Sequence, residues 1–356
     1  MGELITVSKS DPNFEKYLLG TFSKEKRALP VESLNINTDK EEVTFNIVLC
    51  SEIEKPNQIA MWAQILKLRN FILVLLPIFL VTTKNWIDET MLDPLFGGMG
   101  ALGAILLHAS INIRNDYIDH VLGLDRIHPQ SGSRAIQNGW VWAITLKKLS
   151  TALMIAGVVL GFPALLAYTE VLYVTVLSLI LGFLGVMSFK SGLKLRKWSE
   201  VFSFFLLGPL LTIGYQGALG GGFDLEVIFI GILTGWFAVY YIHIKNFEML
   251  MVNSKAKIYN SVSNLGFEKS KELIKFWWIS WLLMIDVYHW LYCSHWWAFL
   301  MIFASILLIL PLVFSLNVTE SPVGSSMART VKTARYLYIF LIALWALESS
   351  WYLTFF

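Results

Sequence analysis

Asn112, Asp116 and Asp119 are spaced four and three residues apart, so on a helix their side chains share one face. Two carboxylates and an amide oxygen are hard donors. Mg²⁺ is commonly held by one or two carboxylates, with phosphate and water completing its shell. Gly123 follows and permits a turn that would return Asp125 toward the same face. Arg126 and Arg134 lie in the same connection, and guanidinium groups match phosphate oxygens in pairs. Acids for a metal beside arginines for phosphate point to a metal–diphosphate ligand. The plain alternative is a solvated acidic helix end. Position favours the first reading, because the pair emerges from an apolar run of membrane length, where ionisable groups are costly and usually functional.

The elements that must position these residues are membrane helices. The chain has 356 residues, 56% hydrophobic and only 15% charged, with 14 Trp and 24 Phe. A soluble domain carries about a quarter charged residues, so a soluble enzyme and a disordered chain are both excluded. Apolar runs near the roughly 20 residues that a spanning helix needs fall at about 66–83, 92–113, 149–167, 171–189, 200–218, 225–244, 275–293, 296–316 and 333–354. The expectation is an all-α, integral membrane bundle of about nine transmembrane helices around a central chamber. Residues 1–61 read as a cytosolic N-terminal extension in which only Val43–Cys50 alternates like a strand; residues 62–356 read as the membrane domain. Basic residues gather in the connections after the second, fourth, sixth and eighth runs, and the opposite loops hold Lys84 and little else. The positive-inside rule then places the N-terminus and the acidic segment at the cytoplasm and the C-terminus on the far side. Cys50 and Cys293 fall on opposite faces and are not expected to pair.

With these residues set out, the sequence resembles the UbiA superfamily of intramembrane prenyltransferases, most closely its 1,4-dihydroxy-2-naphthoate prenyltransferase branch, which acts in menaquinone biosynthesis. Asn115-Asp116-Tyr117-Ile118-Asp119 through Gly123-Leu124-Asp125 is similar to that branch's NDYxDxxxGxD pattern. It runs into Ser133-Arg134-Ala135 through Gly139, similar to PxRAxxxG. Arg196 to Glu200, then Leu207-Gly208-Pro209 and Gly214, resemble RGLGE…FGP…G, and Leu68-Arg69 resembles more weakly an Arg-Pro pair. The resemblance implies Mg²⁺ as cofactor, and a prenyl diphosphate and a lipophilic aromatic acceptor as partners within the lipid bilayer. On that reading Asp116, Asp119 and Asp125 bind metal. Asn112, Asn115, Arg126, Arg134, Lys190, Lys194 and Arg196 serve the diphosphate, and Lys245 joins Asp116 and Asp119 as catalytic.

One stretch departs from the family. The second acidic motif, NNxRDxxxDxxxGKxT, is expected at the end of the sixth helix. Here Lys245 takes the basic position, Asn246 the first aspartate, and Leu250 or Asn253 the second. Asn246 and Glu248 are what remains for a second metal, and a neutral amide balances Mg²⁺ less well than a carboxylate. A family member that binds a prenyl lipid or quinone without turnover, or a membrane terpene cyclase, therefore stands beside the transferase reading. Asp286 and His289, three apart within the seventh run, keep a transporter in view, although such a pair more often makes a polar contact between helices. Nothing indicates nucleic-acid binding.

Overall fold

Most of the apolar runs form long helices among the described residues. In a computed structural model of the chain, the described residues are 3–88, 92–127, 132–168, 172–174, 176–177, 180, 199–257, 259–292, 295–336, 339–340 and 343. Among them, five helical stretches are long and apolar enough to cross a membrane: Leu68–Ile87, Pro94–Val121, Ala143–Ala164, Ser199–Ala218 and Leu225–Glu248. The runs at 275–293 and 296–316 also form helices, Phe267–Tyr292 and His295–Val318. Most of the 171–189 run lies outside the described residues, and the 333–354 run is described mainly up to 336.

In chain order the elements are β1 (Glu3–Ser8), α1 (Phe14–Leu19), β2 (Lys26–Leu34), β3 (Glu42–Leu49), α2 (Gln58–Leu66), α3 (Ile72–Ile87), α4 (Pro94–Val121), α5 (Leu124–Ile127), α6 (Ala143–Ala167), α7 (Ser199–Leu207), α8 (Pro209–Ala218), α9 (Leu225–Glu248), α10 (Leu250–Lys255), α11 (Ser261–Leu265), α12 (Phe267–Tyr292) and α13 (His295–Val318). They fall into two compact units. One comprises Met1–Phe71, Ile105–Val159 and Val252–Ile258; the other comprises Ile72–Ala104, Leu160–Met251 and Tyr259–Phe356.

In the first unit the N-terminal residues form a three-stranded antiparallel sheet in the order β1-β3-β2. The strand expected at Val43–Cys50 is its central member, β3, and alternates Val43, Phe45 and Ile47 into a core with Val7, Phe14 and Leu18. Two further strands flank it, outside the helical membrane region. Pro30 hides β2 from the sequence pattern, yet proline is tolerated on an edge strand at a bulge, and β2 is irregular between Pro30 and Glu32. The sheet is tied to the acidic segment and the loop after it. Arg27 lies over the Trp142 ring, 3.1 Å from its centroid, and donates to the Gly139 carbonyl at 3.2 Å. The Asn37 amide donates to the carbonyls of Leu122 (3.0 Å) and Ala256 (2.8 Å).

In the second unit, α9 is the central helix and packs on α3, α7, α8 and α12. A Cβ on Gly208 would lie 2.4 Å from the Gly231 carbonyl and 2.6 Å from the Gly235 Cα. Gly208 is thus what lets the α7–α8 corner approach the Gly231/Gly235 face of α9, the small-residue packing common between membrane helices. The outer faces are apolar: α13 exposes Phe303, Leu310 and Phe314, and α12 exposes Leu283 and Val287. Surfaces of this kind are unsustainable in water and suit lipid. The chain is an integral membrane protein of mostly helical build.

Candidate active site

The first acidic motif forms at the C-terminal end of α4. Asp116, Asp119 and, beyond the Gly123 turn, Asp125 are buried, with 1%, 5% and 1% of their surface exposed. The solvated-helix-end reading is therefore excluded for these side chains. Gly123 has φ +81 and Gly132 has φ +64. A Cβ on Gly132 would lie 2.5 Å from Asp125 Oδ2, so only glycine lets the loop close over that carboxylate. The next residues hold the acids in place. Ser133 N–H donates to Asp116 Oδ2 at 3.3 Å, and Arg134 Nη1 donates to the Asp125 backbone carbonyl at 2.6 Å. Gln64 of α2 pins the loop from outside by donating to the Ser133 carbonyl at 3.0 Å. Asn112 donates to the Leu66 carbonyl at 3.2 Å, which ties the start of the motif to the end of α2. Asn115 is half-buried on the same helix.

A residue that pattern reading missed completes this cluster. Lys67 caps α2 in the left-handed region (φ 56, ψ 54), a conformation that disfavours any residue with a Cβ by about 1–2 kcal/mol. Its ammonium is ion-paired with Asp116, and its side chain is 10% exposed. Burial opposes the charge, but Asp116, Asp119 and Asp125 outweigh it and hold the Lys67 pKa above its ordinary value. A single lysine ahead of an apolar run looks like an interfacial flank in sequence, and only the fold turns it inward.

Arg126 is placed differently from the diphosphate role expected of it. Its Nη2 pairs with Glu41 Oε1 at 2.6 Å, with both side chains buried. Its Nε donates to the His120 carbonyl at 3.0 Å and Nη2 also to that of Val121 at 3.2 Å. Burial lowers its pKa and Glu41 counters this. The guanidinium closes the end of α4 against the sheet. His120 does similar work: Nε2 donates to the Leu18 carbonyl at 2.8 Å, so Nδ1 accepts from Gln137 at 3.1 Å.

The second motif lies in the other unit, and its centre is Glu200, the last residue of the stretch that resembles RGLGE. This buried carboxylate on α7 accepts from Asn246 Nδ2 at 3.1 Å and from the Ser261 hydroxyl through Oε1, and from Ser199 at 2.8 Å through Oε2. His243 Nδ1 stands 4.0 Å from Oε1, while Nε2 donates to the Ser270 carbonyl at 3.3 Å. Asn246 thus meets a carboxylate from another helix, where an aspartate would face like charge. Glu248, expected to face a metal, is ion-paired with Arg335. Lys245 is exposed and lines a small cavity with Tyr240, Tyr241, Ile244, Ala334 and Arg335. Lys190, Lys194 and Arg196 lie outside the described residues. In α12, His289 gives Nδ1 to the Ile285 carbonyl of its own helix at 2.6 Å, and Asp286 Oδ1 has no hydrogen-bond partner among the described residues.

Among the described residues no three His, Cys, Asp or Glu side chains stand close enough to form a metal cage. The first motif fits Mg²⁺ in its other mode, in which one or two carboxylates share the ion with phosphate oxygens and water.

The profile of the UbiA prenyltransferase family matches residues 72–342. The chain belongs to the UbiA prenyltransferase family. Several solved structures share the fold. One, from work on digeranylgeranylglyceryl phosphate synthase in membranes, is 17% identical with TM-score 0.53, over 83% of this chain and 99% of that one. A UbiA homologue from Archaeoglobus fulgidus bound to DMAPP and Mg²⁺ is 13% identical with TM-score 0.56, over 81% and 98%. The same homologue bound to GPP and Mg²⁺ gives 12% and 0.53, over 81% and 99%. At these identities the likeness is one of fold. No curated protein matches the chain. The UbiA match begins after the N-terminal sheet, so the sheet and its ties to the acidic segment are additions to the matched region.

Proposed function

We propose that this UbiA-family protein transfers a prenyl group from a prenyl diphosphate to a lipophilic aromatic acceptor, with Mg²⁺ as cofactor, in the manner of the 1,4-dihydroxy-2-naphthoate branch. The observation that carries the reading is the buried Asp116/Asp119/Asp125 cluster, closed by the Gly132–Arg134 loop and ending a membrane helix. Asp116 and Asp119, with Asp125 behind them, would hold Mg²⁺, which supplies charge neutralisation of the leaving diphosphate. Arg134 lies half-buried on the loop beside the acids and is assigned to the diphosphate, as are Asn112 and Asn115. Lys190, Lys194, Arg196 and Lys245 keep that assignment from sequence alone. Arg126 is reassigned as a brace, because its guanidinium is engaged by Glu41 and by backbone carbonyls. Glu200 replaces Glu248 as the carboxylate of the second motif, with Asn246 as its neutral partner. Residues 62–356 form the transferase domain and residues 1–61 its cytoplasmic brace, with the C-terminus on the opposite side of the membrane.

A second reading rests on one observation: Asn246 is bonded to Glu200 and Glu248 to Arg335, so the second motif is satisfied within the protein. A binder of prenyl lipid without turnover would look the same. Titration of the purified full chain with a non-hydrolysable prenyl thiolodiphosphate tests the site common to both readings. Binding is expected to require Mg²⁺ and Asp116. Binding that is indifferent to both overturns the assignment.

A further inference from the structure

The end of α2 needs no lysine. Its cap closes through the backbone alone, with the Lys67 N–H donating to the carbonyls of Ala63 and Gln64. A glycine would serve better at φ 56. A glycine cannot supply the ammonium, which the strained cap directs into the acidic cluster and onto Asp116. Asp119 and Asp125 add their field to it. The three acids are therefore not an open anionic pocket awaiting a metal, because a tethered cation already stands against the first of them.

We propose that Lys67 is a built-in counter-ion that competes with the divalent cation for Asp116. This rests on the reading of Asp116 as a metal ligand. A divalent ion arriving alone would be brought against the ammonium, so metal binding without diphosphate is weak. A diphosphate arriving with the metal supplies anionic oxygens to which the flexible four-carbon stem can transfer its ammonium. Asp116 is then released to the metal. Lys67 thus couples the two ligands, so that each binds well only with the other. The arrangement also gives the cluster a charge partner when no substrate is present, which a buried carboxylate requires.

The test uses Mn²⁺ as a paramagnetic substitute for Mg²⁺, with the purified full-length chain in nanodiscs. The electron paramagnetic resonance signal of free Mn²⁺ is followed with and without a prenyl thiolodiphosphate. Lys67→Met and Lys67→Gly both remove the charge, and the glycine also relieves the left-handed cap. Both are expected to bind Mn²⁺ at least about tenfold more tightly than the wild type without diphosphate, with a smaller further gain when it is added. Lys67→Arg keeps the charge and should resemble the wild type. A residue needed only for folding would move affinity downward on removal. Unchanged or weaker Mn²⁺ affinity in the Met and Gly variants, with Asp116→Asn still abolishing the site, overturns the counter-ion and leaves the metal assignment standing. No Asp116-dependent Mn²⁺ site in any variant overturns both.

Discussion

Replacing Arg126 separates its two roles. If it bound diphosphate, Arg126→Met would weaken substrate binding and leave the fold intact. In the structure the guanidinium is buried against Glu41 at 2.6 Å, and Nε and Nη2 also satisfy the His120 and Val121 carbonyls. Removing one partner of such a pair strands the other as a buried charge, which destabilises by about 3–5 kcal/mol. By the usual scaling this lowers the thermal midpoint by on the order of 10 °C. Glu41→Met should produce a loss of similar size. The double variant Glu41→Met/Arg126→Met should recover most of it, because a buried pair replaced by well-packed apolar groups is often neutral or better. The assay is thermal unfolding of the three variants in nanodiscs, beside prenyl thiolodiphosphate affinity measured well below the midpoint. Recovery in the double variant with near-normal affinity supports the brace. An Arg126→Met protein as stable as the wild type that fails to bind diphosphate would rule out the brace and return Arg126 to the substrate.

Gly132→Ala places a Cβ at 2.5 Å from Asp125 Oδ2 at a position with φ +64; the backbone term alone is about 1–2 kcal/mol, so Mn²⁺ and diphosphate affinity should fall about tenfold, and unaltered titrations would show that the loop does not shape the site. Glu200→Gln keeps the shape of the second motif and removes its charge, so turnover should drop by about tenfold or more. Adding Asn246→Asp in that background returns a carboxylate and should restore part of the loss. Failure of this exchange, with thermal midpoints unchanged, would deny Glu200 the role of the missing acid.

Part of this site could be read in the sequence because it is local. The four- and three-residue spacing of Asn112, Asp116 and Asp119, the Gly123 turn and the loop to Gly139 lie within one short segment and fold together. What could not be read depends on partners far along the chain. Arg126 looked like a phosphate ligand because its partner Glu41 is 85 residues away, in the connection just before β3. Lys67 was hidden by its neighbours, since apolar periodicity says nothing about a left-handed cap that redirects one side chain. The missing aspartates after the sixth helix suggested a lost carboxylate. Helix packing through Gly208 brings Glu200 to Asn246 instead, and the spacing within one helix cannot show that. The membrane architecture was the most legible feature, because burial in lipid imposes the same apolar length on each spanning helix.

The proposed function requires that the buried acids at the end of α4 drive prenyl-diphosphate chemistry. The direct measurement is pyrophosphate release by the full-length chain in nanodiscs, from a panel of prenyl diphosphates with and without aromatic acceptors, in Mg²⁺ and in chelator. The predicted result is release that requires Mg²⁺, rises with an aromatic acceptor and falls by about 100-fold or more in Asp116→Asn. Release that survives chelation or the loss of Asp116, or tight prenyl-diphosphate binding with no release at all, would contradict it.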